Sequence, residues 1–203
     1  MTNDFLAHLW THVTLAAGAL VIALAIAVPA GAAFSRRHAA RALALGTANI
    51  LRVVPSLAVV TLALPYLGLG FRPALIALAV LAIPPIIVNT DLGLRSVPAA
   101  AVEAARGLGM DPRAIRRRVE WPMAAPVVFA GVRTAAVEVI ASATLAAFIG
   151  GGGLGEYVID GLANNDMSEL LKGAIAVGLL ALGTDAALGF VQREIAGKGL
   201  RRA

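Results

Sequence analysis

The chain has 203 residues, of which 59% are hydrophobic and 14% charged, with no cysteine and a formal net charge of +5. Soluble domains carry roughly 25% charged residues, and a mean hydropathy of +0.83 is more apolar surface than a domain of this size can bury in one core. That composition excludes a soluble globular fold, a disordered chain, a disulfide scaffold and any thiolate zinc site; it describes an integral membrane protein of one domain spanning 1–203.

The N-terminus has no basic segment before its first apolar run, so a cleavable signal is not expected. That run, Val13–Ser35, is charge-free and long enough to cross ~30 Å of hydrocarbon as a helix. Four more follow, giving spans near 13–35, 50–71, 73–92, 124–150 and 170–191. They are continuous and rich in Ala and Leu, without the alternation of a barrel wall. The expected fold is therefore all-α, a polytopic bundle of about five membrane helices. The 21 glycines suit close helix packing, and Pro29, Pro55, Pro65, Pro84 and Pro85 lie in or at the ends of spans, where cavity-lining proteins tolerate freed backbone groups.

Basic residues alternate between loops. None precedes span one; Arg36, Arg37, Arg41 and Arg52 follow it; Arg72 stands alone after span two. Arg95, Arg106, Arg113, Arg116, Arg117 and Arg118 follow span three, whereas 151–169 holds Glu156, Asp160, Asp166 and Glu169 and no base. Arg193, Lys198, Arg201 and Arg202 close the chain. The positive-inside bias puts the N-terminus outside and the C-terminus in the cytoplasm, and accounts for the basic balance without nucleic acid. Trp10, Tyr66 and Tyr157 then fall at the outer interface and Trp121 at the inner one.

Loop 93–123 is too long for a turn between spans. Pro98 precedes a helix-prone stretch from Ala99 to Leu108, Gly107 and Gly109 can end it, and Asp111-Pro112 can cap a second helix. On that helix Ile115 and Val119 share one face among Arg116, Arg117 and Arg118. From spacing alone this is either a lever for a cytoplasmic partner or an amphipathic helix lying on anionic lipid.

Glu103-Ala104-Ala105, three residues to Gly109, nine to Val119 and then Pro122 resembles the EAA loop of permease subunits in binding-protein-dependent ABC importers. Val119 stands where that family more often has Ile, and Trp121 where it often has Leu. The stretches 50–58 (ILRVVPSLA), 83–94 (IPPIIVNTDLGL) and 125–155 are similar to permeases for osmoprotectants: glycine betaine, choline and carnitine. The resemblance implies a bacterial or archaeal inner-membrane importer subunit whose loop docks on a cytoplasmic ATPase dimer. Glu103, Ala104, Ala105, Gly109 and Pro122 would couple the two, with Ala104 and Ala105 keeping the contact thin. It also implies a second permease subunit and an extracytoplasmic solute-binding protein. The chain has no GxxxxGK[ST] motif, so it is not itself an enzyme; ATP and Mg belong to the partner, and no cofactor is expected here.

Glu138, deep in span four with Ser142 one turn on, is either a pathway residue or a packing residue paired with Arg133 or with a partner the sequence does not show. Asn89-Thr90, Ser56 beside Arg52 and Pro55, and Asp185 are further pathway candidates. The glycine run 150–155 lacks the strand–helix setting of a phosphate loop; Gly153, Gly155 and Glu156 read as an outer turn for binding-protein docking or as solvated loop. His8 and His12 are four apart, but with His38 distant they lack a third metal ligand. Few aromatics are present, so capture of a quaternary ammonium by an aromatic cage belongs to a separate binding protein. Permeation of another small solute such as an amino acid, secondary transport without internal repeats, and a non-transporting membrane scaffold are the competing functions.

Overall fold

The computed structural model describes residues 2–35, 42, 45–48, 50 and 53–200; Arg36, Arg37, His38, Arg41, Arg52, Arg201 and Arg202 lie outside these. Every element among the described residues is helical: α1 (Thr2–Phe34), α2 (Ser56–Leu67), α3 (Phe71–Arg95), α4 (Ala99–Gly107), α5 (Pro112–Ile115), a π-turn (Arg116–Glu120), α6 (Trp121–Ala143), a 3₁₀ turn (Thr144–Ile149), α7 (Gly155–Ala163) and α8 (Met167–Leu200).

Four helical runs are long and apolar enough to span a membrane: Asp4–Phe34, Phe71–Arg95, Pro112–Ile149 and Met167–Gly197. The expected second span, 50–71, is shorter as a helix. α2 holds 12 residues, about 18 Å, because Pro55, with extended backbone at ψ 133°, stands as its N-cap and because Gly68 and Gly70 turn the chain before Phe71. Gly70 N–H donates to the Ile149 carbonyl at 2.7 Å, tying this hairpin to the top of the α6 span.

α3 is the centre of the bundle, packed between α1 and α6, with α8 against the far side of α6 and α7 folded onto α8. Ala16, Ala19, Ala23 and Ala27 form one stripe of α1 and meet Ala74, Ala77, Leu78 and Ala82 of α3 in the buried core. Methyl-sized side chains at this spacing let backbones approach closely, which is how membrane helices associate when hydrocarbon removes the hydrophobic drive. Gly131 takes this furthest. A Cβ there would stand 2.5 Å from Asn89 Cβ and 2.8 Å from the Pro85 carbonyl, so α3 and α6 cross at a point only glycine fits.

α5, the π-turn, α6 and the 3₁₀ turn run on as one helix from Pro112 to Ile149. Its widened turn, with Trp121 N–H donating to the Arg116 carbonyl, lies beside Pro122. Proline has no amide hydrogen and its ring crowds the preceding turn, and an i→i+5 turn makes room for it.

Candidate functional site

Two regions of this frame carry chemistry. The first is the loop between α3 and α6. Pro98 caps α4 without a side-chain bond, and α4 ends in a double closure: Met110 N–H donates to the Ala105 carbonyl at 3.1 Å and Gly109 N–H to the Arg106 carbonyl at 2.9 Å. This is a Schellman motif, whose penultimate position requires left-handed backbone; Gly109 supplies it with φ +77°. Asp111 then caps α5, its Oδ1 accepting from Arg113 N–H at 2.9 Å and Ala114 N–H at 3.0 Å. Ile115 is buried and Val119 half-buried beneath exposed Arg117 and Arg118, the face that their spacing predicts.

α4 presents Ala100, Glu103, Ala104, Gly107 and Leu108, all exposed, at the i, i+3, i+4, i+7, i+8 spacing of one helix face. Leu108 is 83% exposed. The face is a flat strip of small residues with one acid and one large apolar group at its end. Ala105 is not on it. At 5% exposure it faces inward and seats the helix on the rest of the chain, so only Ala104 of the alanine pair thins the outward surface. Pro122 is exposed at the start of α6, next to the widened turn. Leu108 had no motif to mark it; its signal is the four-residue step from Ala104.

The second region is a cavity of about 310 Å³ between the start of α2, the middle of α3 and α6, where Ser56, Glu138 and Ser142 come together with Pro55, Val80, Leu81 and Pro84. Three of the pathway candidates therefore share one space. Asn89 does not join them. Its Nδ2 donates to the Pro85 carbonyl of its own helix at 2.8 Å, and it packs at Gly131. Thr90 is buried, with its hydroxyl on the Ile86 carbonyl.

Glu138 also borders a second, more open space of about 540 Å³ between α6 and α8, lined by Ala130, Arg133, Thr134, Asp185 and Gln192 among others. There Arg133 is a two-pronged donor to Asp185: Nε to Oδ1 and Nη2 to Oδ2, both at 2.6 Å. The alternative in which Arg133 pairs with Glu138 is thus replaced by a bridge across 52 sequence positions. Gly189, one turn beyond Asp185, leaves room for the guanidinium, since a Cβ there would lie 3.1 Å from Arg133 Cζ. Gln192 Nε2 reaches the Pro126 carbonyl at 3.2 Å.

At the opposite end of the bundle from α4, the glycine turn does not offer Gly153 and Gly155 as a surface. Both are buried. Gly153 lies against His12 and Gly155 against the Thr144 carbonyl, so these two shape the turn from inside. Glu156 is half-buried, its Oε2 on His8 Nε2 at 2.5 Å while His8 Nδ1 meets the Asp4 carbonyl at 2.6 Å. Tyr157 packs on Phe5 and His8. Burial raises its phenol above the ordinary value, helped by the negative charges of Asp4, Glu169 and Glu156. His12 is fully buried, its Nε2 on the Ile140 carbonyl at 3.0 Å. Among the described residues no group of three or more His, Asp or Glu could hold a metal ion. The exposed surface at this end is instead Asp160, Leu162, Asn164, Asn165 and Asp166, with Asn165 in left-handed backbone at φ +55°.

Residues 10–197 match the family described as binding-protein-dependent transport system inner membrane component. The chain is 37% identical over 200 residues to the choline transport system permease protein OpuBB of Bacillus subtilis, covering 98% of this chain and 92% of that one. It is 38% identical over 201 residues to the carnitine transport permease protein OpuCB of Listeria monocytogenes, covering 99% and 92%. In fold it is similar to a chain of the inward-facing MetNI methionine ABC transporter, at TM-score 0.81 and 20% identity, covering 96% and 97%.

Proposed function

The chain belongs to the family of binding-protein-dependent transport system inner membrane components, and from that premise we propose that it is the membrane-spanning subunit of an ATP-driven importer for a small quaternary-amine osmoprotectant such as choline, carnitine or glycine betaine. The substrate class follows from relatives 37–38% identical over nearly the whole chain that carry choline and carnitine in their names. The solute arrives on an extracytoplasmic binding protein, passes the cavity at Ser56, Glu138 and Ser142, and leaves into the cytoplasm. The N-terminus is outside and the C-terminus inside. A cytoplasmic ATPase dimer binds and hydrolyses ATP with Mg.

The observation that carries this reading is the exposed strip of α4, held by the Gly109 closure and the Asp111 cap to the helix that bears Glu138. A surface-lying lipid helix needs an apolar face and cationic flanks; the α4 strip has small residues around an acid. Glu103 and Ala104 make the contact with the ATPase, Gly109 and Ala105 hold the helix in place, and Pro122 sets the turn through which movement reaches the span. A second permease subunit covers the α6–α8 face. Arg133 and Asp185 are 35% and 39% exposed there, and charged groups at membrane depth face a protein partner or a water-filled path, not hydrocarbon.

Glu103→Lys tests the reading. Glu103 is exposed, so folding and insertion stay intact, surface changes being within ~0.5 kcal/mol, while a like-charge contact at a docked interface costs several kcal/mol. Uptake and substrate-stimulated ATP hydrolysis in vesicles collapse, and co-purification of the ATPase is lost. Normal transport by this variant would show that α4 is not the coupling element.

A further inference from the structure

The long helical run that ends at Ile149 begins with a charged segment before its apolar part. Arg113, Arg116, Arg117 and Arg118 fall within six residues shortly before Trp121, and every base between Gly93 and Met123 is arginine. Arg113, Arg117 and Arg118 are exposed, whereas Ile115 is buried and Val119 half-buried. The segment therefore keeps its apolar residues against the protein and leaves its cations outside. The neighbouring acids do not cancel them. Glu120 is half-buried and lines a small polar pocket with Ser35, Arg95 and Arg116. Asp111 accepts from the Arg113 and Ala114 amides at the start of α5. Neither Arg117 nor Arg118 is in an ion pair among the described residues.

Depth along the helix identifies what these two arginines meet. Tryptophan favours the headgroup level of a bilayer, and Trp121 opens α6. At 1.5 Å per residue, Arg118 and Arg117 lie about 4.5 and 6 Å before it. The headgroup layer on each side of the hydrocarbon is about 5–7 Å thick, so both residues stand at phosphate depth. A guanidinium presents a planar fork that matches a phosphate, and a cluster of four or more bases right beside a membrane span attracts anionic lipid. The α4 strip differs, because its exposed Glu103 is repelled by such a surface. The two outward faces of this loop thus suit different partners, α4 a protein and the π-turn a membrane.

We propose that Arg117 and Arg118, at the mouth of the α6 span, bind the phosphates of anionic phospholipids and gather such lipids around this end of the chain. This goes beyond the import reading and is independent of which solute is carried. The two tryptophans of the chain give a local readout, since Trp10 lies two residues before His12, at the glycine-turn end of the bundle. The full-length Trp10→Phe chain, with Trp121 its remaining tryptophan, is reconstituted in phosphatidylcholine vesicles. Quenching by phosphatidylglycerol brominated high on its acyl chains is compared with quenching by phosphatidylcholine brominated in the same way. Each arginine near an anionic surface changes an equilibrium about fivefold, so phosphatidylglycerol is favoured at least fivefold at low salt. The preference falls below twofold at 0.5 M salt, where screening acts within about 4 Å. Arg117→Gln and Arg118→Gln together bring the ratio near one, and the paired Lys variant keeps most of it. In a Trp121→Phe chain, Trp10 reports a ratio near one. The salt series on the unaltered loop carries the test if the Gln variant inserts poorly. A ratio near one at Trp121, a preference that persists in high salt or in a well-inserted Gln variant, or an equal preference at Trp10 overturns the proposal. Loss of ATPase co-purification in the Gln variant with its lipid ratio unchanged assigns the arginines to the ATPase and overturns it as well.

Discussion

Replacing Gly109 by Ala isolates the backbone's contribution to the α4 closure. A Cβ on Gly109 meets nothing within 4 Å, so the methyl adds no clash and the whole penalty is conformational. Left-handed backbone at φ +77° costs a residue with a Cβ roughly 1–2 kcal/mol. The penalty falls on a closure of three hydrogen bonds, from Leu108, Gly109 and Met110 N–H to the carbonyls of Ala104, Arg106 and Ala105. A shift of that size multiplies the open population by about 5 to 30. Hydrogen exchange in the purified complex should show protection at residues 108–110 falling by that factor, with protection in α3 and α6 unchanged. Gly109→Asn should recover most of it, because Asn tolerates this conformation. Substrate-stimulated ATP hydrolysis should follow the same order: wild type, then Asn, then Ala. Exchange at 108–110 that is the same in the Ala variant and wild type would refute the argument, since no steric term exists to offset the conformational one.

Other outcomes follow from the same geometry. Gly131→Leu drives α6 away from Asn89 and Pro85, with overpacking costs of about 1–3 kcal/mol seen as a lower melting temperature in detergent, while Gly178→Leu, with open space around it, stays near wild type. Arg133→Asp and Asp185→Arg each leave two like charges facing across α6 and α8 and reduce thermal stability; the double exchange recovers most of the loss, and a double variant no better than either single one would show that the pair is not a bridge in the membrane. Single cysteines at Asn164 and Leu108, both exposed, label from opposite sides of intact vesicles, Asn164 from outside and Leu108 from the cytoplasm; labelling from one side removes the proposed orientation.

What the sequence reveals here is what local rules govern. Asp111-Pro112 is a cap because its side chain and ring act within three residues, and Gly109 ends a helix for the same reason. Charge-free runs mark spans because hydrocarbon tests every residue of a run alike. The rest depends on contacts that no spacing encodes. Ala105 and Ala104 are neighbours in a motif, yet one is buried and the other exposed, because a helix turns ~100° per residue and the direction of the core is a tertiary fact. Gly153 and Gly155 look like a flexible outer turn, whereas His12 of the distant α1 presses on the first and the Thr144 carbonyl of the preceding 3₁₀ turn on the second. Arg133 has Glu138 five residues away and pairs instead with Asp185, which α8 brings alongside. Ser56, Glu138 and Ser142 can each be picked as polar residues in apolar spans. That they share a cavity and Asn89 does not is decided by how α2, α3 and α6 cross.

The unbroken run from Pro112 to Ile149, 38 residues and about 57 Å, joins the loop that bears Glu103 to Glu138 and then to the glycine turn. Thermodynamic linkage makes such a connection reciprocal. If docking at Glu103 favours one placement of this helix, and that placement changes the cavity's affinity for a solute by some factor, then the solute must change the docking equilibrium by the same factor. A stretch of backbone through which the docked partner acts on the solute would equally let the solute act on docking. Docking affinity in the empty subunit and docking affinity in the loaded one would then differ by that same factor, set by where one helix begins and ends.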